Sequence, residues 1–134
     1  MPVADERFHR GLAVMERTTG SGVAGITAAL AGVAPDFARM TVEFPFGDLY
    51  ARDALDLKSR EIAAVGALAA LANAAPELRV HVAAALRLGC ERAEVVEILM
   101  QTAIYAGFPA ALNALLACRD LLVPEVGESG AGSG

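Results

Sequence analysis

An all-α subunit of closely packed, antiparallel helices is the fold class the sequence predicts, and three observations predict it. The 134 residues are 55% hydrophobic but only 5% aromatic, with no Trp, and Ala and Leu dominate the apolar set; both favour helix. In the second half of the chain, apolar positions recur at i, i+3, i+4 and i+7. Proline near the start and glycine at the end punctuate those runs, and the short connections left between them imply antiparallel neighbours. The length suits one domain, residues 1–126, with one core and a flexible tail over 127–134 that is Gly, Ser and Ala apart from Glu128.

Taken in order, residues 4–17 form a polar-faced helix that Thr19-Gly20-Ser21-Gly22 interrupts. A second helix starts near Pro35-Asp36, because Phe37, Met40, Thr41 and Phe44 then share a stripe, and Pro45 and Gly47 break it. Residues 46–52 are expected to be irregular and hold aromatics, an acid and a base. From Leu57 onward a helix carries no charge over 62–72, so it must be central or lie at a subunit interface. Three more helices follow, over 76–88 stopped by Gly89, over 92–106 stopped by Gly107, and from Pro109 to just before Pro124.

The formal charge of −5 and the absence of a Lys/Arg cluster argue against a nucleic-acid partner. Asp5, Glu6, Arg7 and Arg10 stand where a secretory signal needs an apolar stretch, and the uncharged run 62–72 is too short to span a bilayer. A cytoplasmic protein with no membrane partner is therefore expected. Cys90 and Cys118 are too few for a disulfide framework. His9 and His81 lie on distant segments without paired-ligand spacing, so no metal site is expected.

The candidate site starts from His81, which shares a buried-type stripe with Leu78, Val82 and Ala85. Glu77, four residues earlier, is close enough to orient an imidazole. His81 is thus either an acid–base group or a core histidine satisfied by a backbone carbonyl. Arg60, one turn into its helix, either borders a pocket and grips a carboxylate or is solvated. Asp48 is either an acid held beside Tyr50 in a cleft or a cap for the turn after Gly47.

Three strings then stand in a telling order: Phe46-Gly47-Asp48-Leu49-Tyr50, Glu77-Leu78-Arg79-Val80-His81, and Tyr105-Ala106-Gly107-Phe108-Pro109-Ala110-Ala111. With this spacing, ungapped over residues 46–119, the chain resembles the carboxymuconolactone decarboxylase family; Gly11-Leu12-Ala13-Val14 is a looser echo. The resemblance implies an alkylhydroperoxidase D-like helical subunit, a homotrimer or homohexamer, and a site near a subunit interface. It implies a cofactor-independent lyase that removes carbon dioxide from a carboxylated lactone, as in the β-ketoadipate pathway of aromatic catabolism. His81, Arg60 and Asp48 would be catalytic, with Phe46, Tyr50, Glu77, Tyr105 and Phe108 around a small carboxylated substrate. The mechanism expected from these residues has Arg60 hold a substrate carboxylate while His81, poised by Glu77 or another acid, donates or shuttles a proton.

The departures from the family pattern are specific. Asp48 stands for the usual Glu, Tyr50 for Trp, and Arg87-Leu88 for a polar pair, so a related lactone, a quinone or a polyketide-like acid is an alternative substrate, and a non-catalytic helical binding module an alternative role. The Cys-x-x-Cys pair of the hydroperoxidase branch falls near Ala75 and Leu78, which have no thiol chemistry, so a thiol peroxidase is not expected.

Overall fold

A computed structural model describes residues 2–124, with side chains from residue 6; the tail expected over 127–134 lies outside the described residues. Among those residues every regular element is helical: α1 (Pro2–Thr19), α2 (Ala24–Leu30), α3 (Pro35–Val42), a π-helical coil (Glu43–Tyr50), α4 (Leu57–Leu71), α5 (Ala75–Arg87), α6 (Arg92–Ala106), α7 (Phe108–Ala117) and α8 (Arg119–Leu122). They form two compact units that divide between Arg60 and Glu61.

In the first unit α1 lies against the π coil at backbone contact. A Cβ on Gly11 would sit 2.4 Å from the carbonyl oxygen of Val42, and one on Gly47 would sit 2.6 Å from that of Arg7. Only glycine allows this approach from both sides. Ion pairs bind the joint: the Arg7 guanidinium grips both oxygens of Asp48 and reaches Glu43 Oε2 at 3.3 Å, while Arg39 Nε meets Glu43 Oε1 at 2.7 Å. Glu43 is buried, and a carboxylate taken from water needs such partners. Arg10 Nε donates to the carbonyl of Gly47 at 2.8 Å. Val14, Ala38, Val42 and Phe46 fill the space beneath.

Two expectations for this unit change. The stretch after α3 is helical rather than irregular: Pro45 gives no N–H to the α ladder, so the coil widens to π geometry instead of stopping. Helix α2 was not foreseen. It has no buried residue and therefore lacks the apolar stripe on which sequence reading depends.

The second unit closes around Val65, Leu78, Val82, Val95, Leu99 and Cys118, contributed by α4 to α7 and the junction before α8. Helix α5 starts as expected with Pro76 in its first turn. A capping box opens α6, in which Glu91 N donates to Glu94 Oε1 at 2.9 Å. A single residue, Gly107 at φ 95°, ends α6 and begins α7, a corner that side-chain-bearing residues rarely adopt. The helix expected from Pro109 to Pro124 breaks at Cys118. Arg79 Nη1 donates to the Ala117 carbonyl at 2.7 Å, so Leu121 N turns to the Cys118 carbonyl, and Arg79 also forks onto Asp120 at 2.6 and 2.9 Å. On α4 the uncharged run buries Val65 and Ala69 but leaves Leu71 exposed.

Two outcomes follow. Gly11→Ala should destabilise the chain by about 1–3 kcal/mol, read from denaturant unfolding, because the added methyl meets a backbone oxygen that cannot yield; unchanged stability would refute the close approach. Arg7, chiefly through its hydrogen bonds, holds the Asp48 carboxyl below the usual carboxylate range. The stabilisation is present at neutral pH and lost as pH falls below about 4 toward the lower folded value. Asp48→Asn should therefore flatten the acid decline of Tm, with the Arg79–Asp120 pair, shifted in the same direction, leaving a residual slope.

Candidate active site

On α4, Glu61, Val65 and Ala69 are the buried positions, spaced i, i+4, i+8 on one core-facing stripe. Glu61 is therefore a carboxylate in a position made for an apolar side chain, and it is fully buried. Its partner comes from α5, where Leu78, Val82 and Ala85 are buried and His81 lies beside them, 23% exposed. His81 Nδ1 and Glu61 Oε2 are 2.6 Å apart. An ionised carboxylate only accepts, so with Glu61 charged the Nδ1–H donates to it and Nε2 is the ring nitrogen left as an acceptor. A base oriented by a buried acid is the arrangement that proton-transfer sites use. Glu61 Oε1 has no hydrogen-bond partner among the described residues.

The acid beside His81 is thus Glu61 rather than Glu77, which is exposed in the first turn of α5 and makes no hydrogen bond to His81 among the described residues. Sequence reading passed over Glu61 because it falls among the charged residues that open α4, just before the uncharged run. Its register with Val65 and Ala69 is the signal that identifies it as core-facing.

The remaining residues of this unit stand apart from that pair. Tyr105 and Phe108 are 81% and 80% exposed, Tyr105 on a cleft of about 160 Å³ with Gly66, Ile98 and Gln101, and Phe108 on one of about 280 Å³ with Met100, Leu112 and Leu115. Ala75 and Leu78 line a hollow of about 40 Å³ walled mainly by alanines, where no thiol chemistry is available. Cys90 and Cys118 are buried, and burial pushes the Cys118 thiol up. Among the described residues no three His, Cys, Asp or Glu side chains gather as a metal site, and no helix is long and apolar enough to cross a membrane.

In the first unit Phe46, Tyr50 and Arg60 come together. Phe46 is buried in the π coil, and the Tyr50 ring meets it edge-on at 5.3 Å and 69°. The Arg60 guanidinium lies over the Tyr50 ring, with Cζ 5.6 Å from its centroid. Asp48 is instead committed to Arg7, with Arg10 Nη2 at 3.8 Å from it. It neither caps a turn through its side chain nor stands as a free acid beside Tyr50.

Comparison with known proteins agrees with this architecture. The carboxymuconolactone decarboxylase family model matches residues 35–120. The chain is 28% identical over 114 residues to 4-carboxymuconolactone decarboxylase of Acinetobacter baylyi, a match covering 83% of each protein. It is 36% identical over 75 residues to an uncharacterized 15.0 kDa protein in the nqo9-nqo10 intergenic region of Paracoccus denitrificans, covering 55% of this chain and 56% of that protein. The chain thus spans little more than half of that second relative. With the family match extending over more than half of its length and an all-helical structure beneath it, the chain belongs to the carboxymuconolactone decarboxylase family and has its alkylhydroperoxidase D-like fold.

Proposed function

We propose that the chain is a cofactor-independent lyase that removes carbon dioxide from a carboxylated lactone, with His81 moving the proton. The observation that carries the proposal is the 2.6 Å contact between His81 Nδ1 and the buried Glu61. Loss of carbon dioxide leaves an electron pair on carbon that must be protonated; Nε2, left bare by the Nδ1–H tautomer, first takes a proton from solvent, and the resulting imidazolium, its charge offset by Glu61, gives that proton to the carbon. Glu61 acts through His81, as a positioning group. Arg60, the residue before Glu61 in the chain, carries the carboxylate-binding part of the proposal. The similarity to the Acinetobacter decarboxylase supports 4-carboxymuconolactone as the first substrate to try.

One observation favours a second substrate on the same fold. Asp48 is paired with Arg7, so the acid of the Phe46–Tyr50 string is not free to meet the ligand, which favours a different lactone, a quinone or a polyketide-like acid. A homotrimer or homohexamer is also part of the proposal. Residues 98–118 carry no charge, and Ile104, Tyr105, Phe108, Leu112 and Leu116 within them are at least half exposed, a composition suited to subunit contacts.

Enzymatically generated 4-carboxymuconolactone mixed with the purified protein should lose its lactone absorbance and release carbon dioxide; no turnover would reject this substrate. His81→Gln, which keeps a donor toward Glu61, should lower kcat by about 10²- to 10⁴-fold, and Glu61→Gln by at least about tenfold. Full turnover in His81→Gln would remove His81 from the mechanism. Light scattering on the eluting protein should give three or six times the 13.8 kDa subunit mass, and a monomer would overturn the assembly.

A further inference from the structure

We propose that Tyr50 is a positioning residue for Arg60, fixing the plane and the free end of the guanidinium that receives the substrate carboxylate; this deepens the carboxylate-binding role proposed for Arg60 and rests on it. Three contacts define the pose. Arg60 Nε donates to the Leu55 carbonyl at 3.1 Å, Nη2 donates to the Arg52 carbonyl at 3.3 Å, and the guanidinium lies over the Tyr50 ring. The two carbonyls take up the Nε–Nη2 edge, one of the edges by which an arginine forks a carboxylate. Nη1 makes no hydrogen bond among the described residues. The end of the fork, Nη1 with the remaining Nη2 hydrogen, is therefore the part offered to an anion.

Two carbonyls alone leave the guanidinium free to rock about the line joining them. The aromatic face limits that freedom, because the ring quadrupole attracts the cation and favours poses that keep it over the face. Tyr50 is itself held. Its ring rests edge-on against buried Phe46, in a coil that Gly11, Gly47 and the Arg10 bond to the Gly47 carbonyl pin to α1. Position thus passes from the α1 backbone through Phe46 and Tyr50 to Arg60. The end-on fork selects a planar carboxylate arriving along the guanidinium axis, and a Lys at position 60 would keep the charge but lose both the stacking and the fork.

The test compares Tyr50→Leu, Tyr50→Phe and Arg60→Lys with the parent chain by two readouts. Phenylglyoxal adduct formation at Arg60, followed by peptide mass spectrometry on the folded protein without substrate, should be about 2- to 5-fold faster in Tyr50→Leu, and Tyr50→Phe, which restores the ring, should return it to the parent rate. With 4-carboxymuconolactone, Tyr50→Leu should raise KM about 2- to 5-fold at unchanged kcat, the signature of lost ground-state binding, and Tyr50→Phe should rescue it. Equal adduct rates in all Arg60-containing chains would overturn the proposal, with or without turnover, and so would a fall in kcat without a rise in KM. If adduct rates change as expected while Arg60→Lys leaves KM unaltered, the carboxylate role of Arg60 is what falls, and the ring's hold on the guanidinium stands.

Discussion

The second unit is organised by one demand, that the carboxylate of Glu61 be satisfied away from water. A charged group on a core stripe, between positions that would otherwise hold Val or Ala, costs several kcal/mol unless a partner meets it. His81 meets one of its two oxygens, and the requirement fixes both residues: α4 must present Glu61 inward and α5 must turn a largely buried His81 toward it, so that one ring nitrogen faces the acid. The apolar side chains Val65, Leu78 and Val82 then close around the pair. An apolar residue at position 61 would pack at least as well for stability alone.

The first unit rests on a different constraint, backbone touching backbone. Where two helical segments meet through Gly11 and Gly47, no side chain sets the spacing, and the salt bridges from Arg7 to Glu43 and Asp48 lie across a joint whose depth the glycines have already determined. Gly11, on the helix expected over residues 4–17, is thus a backbone contact surface for the π coil.

Much of the fold was legible because proline and glycine leave local signatures. Pro76, Pro109 and Gly107 mark their helix ends through φ and missing N–H groups, effects that need no knowledge of the partner helix. What escaped reading depends on contacts distant in sequence. The break at Cys118 comes from Arg79, thirty-eight residues before the carbonyl it captures at Ala117. The π coil depends on how a helix continues past Pro45, and α2 has no buried face to betray it. For the site, His81 was visible as the histidine on an apolar stripe, while Glu61 was hidden by its neighbours Lys58 and Arg60, which make the start of α4 read as a solvated first turn. Asp48 was visible as an acid in a suggestive string, yet its partner lies forty-one residues upstream, beyond any local pattern.

The two thiols give the molecule a built-in clock. Cys90 and Cys118 both lie in the second unit, both are buried, and the Cys118 thiol is held toward its protonated form by that burial. A thiol-reactive dye therefore cannot label either one until that unit opens, and the rate of labelling counts openings of the core around His81 while remaining blind to fraying of α1 to α3. The same burial shields both sulfurs from peroxide and so from oxidation.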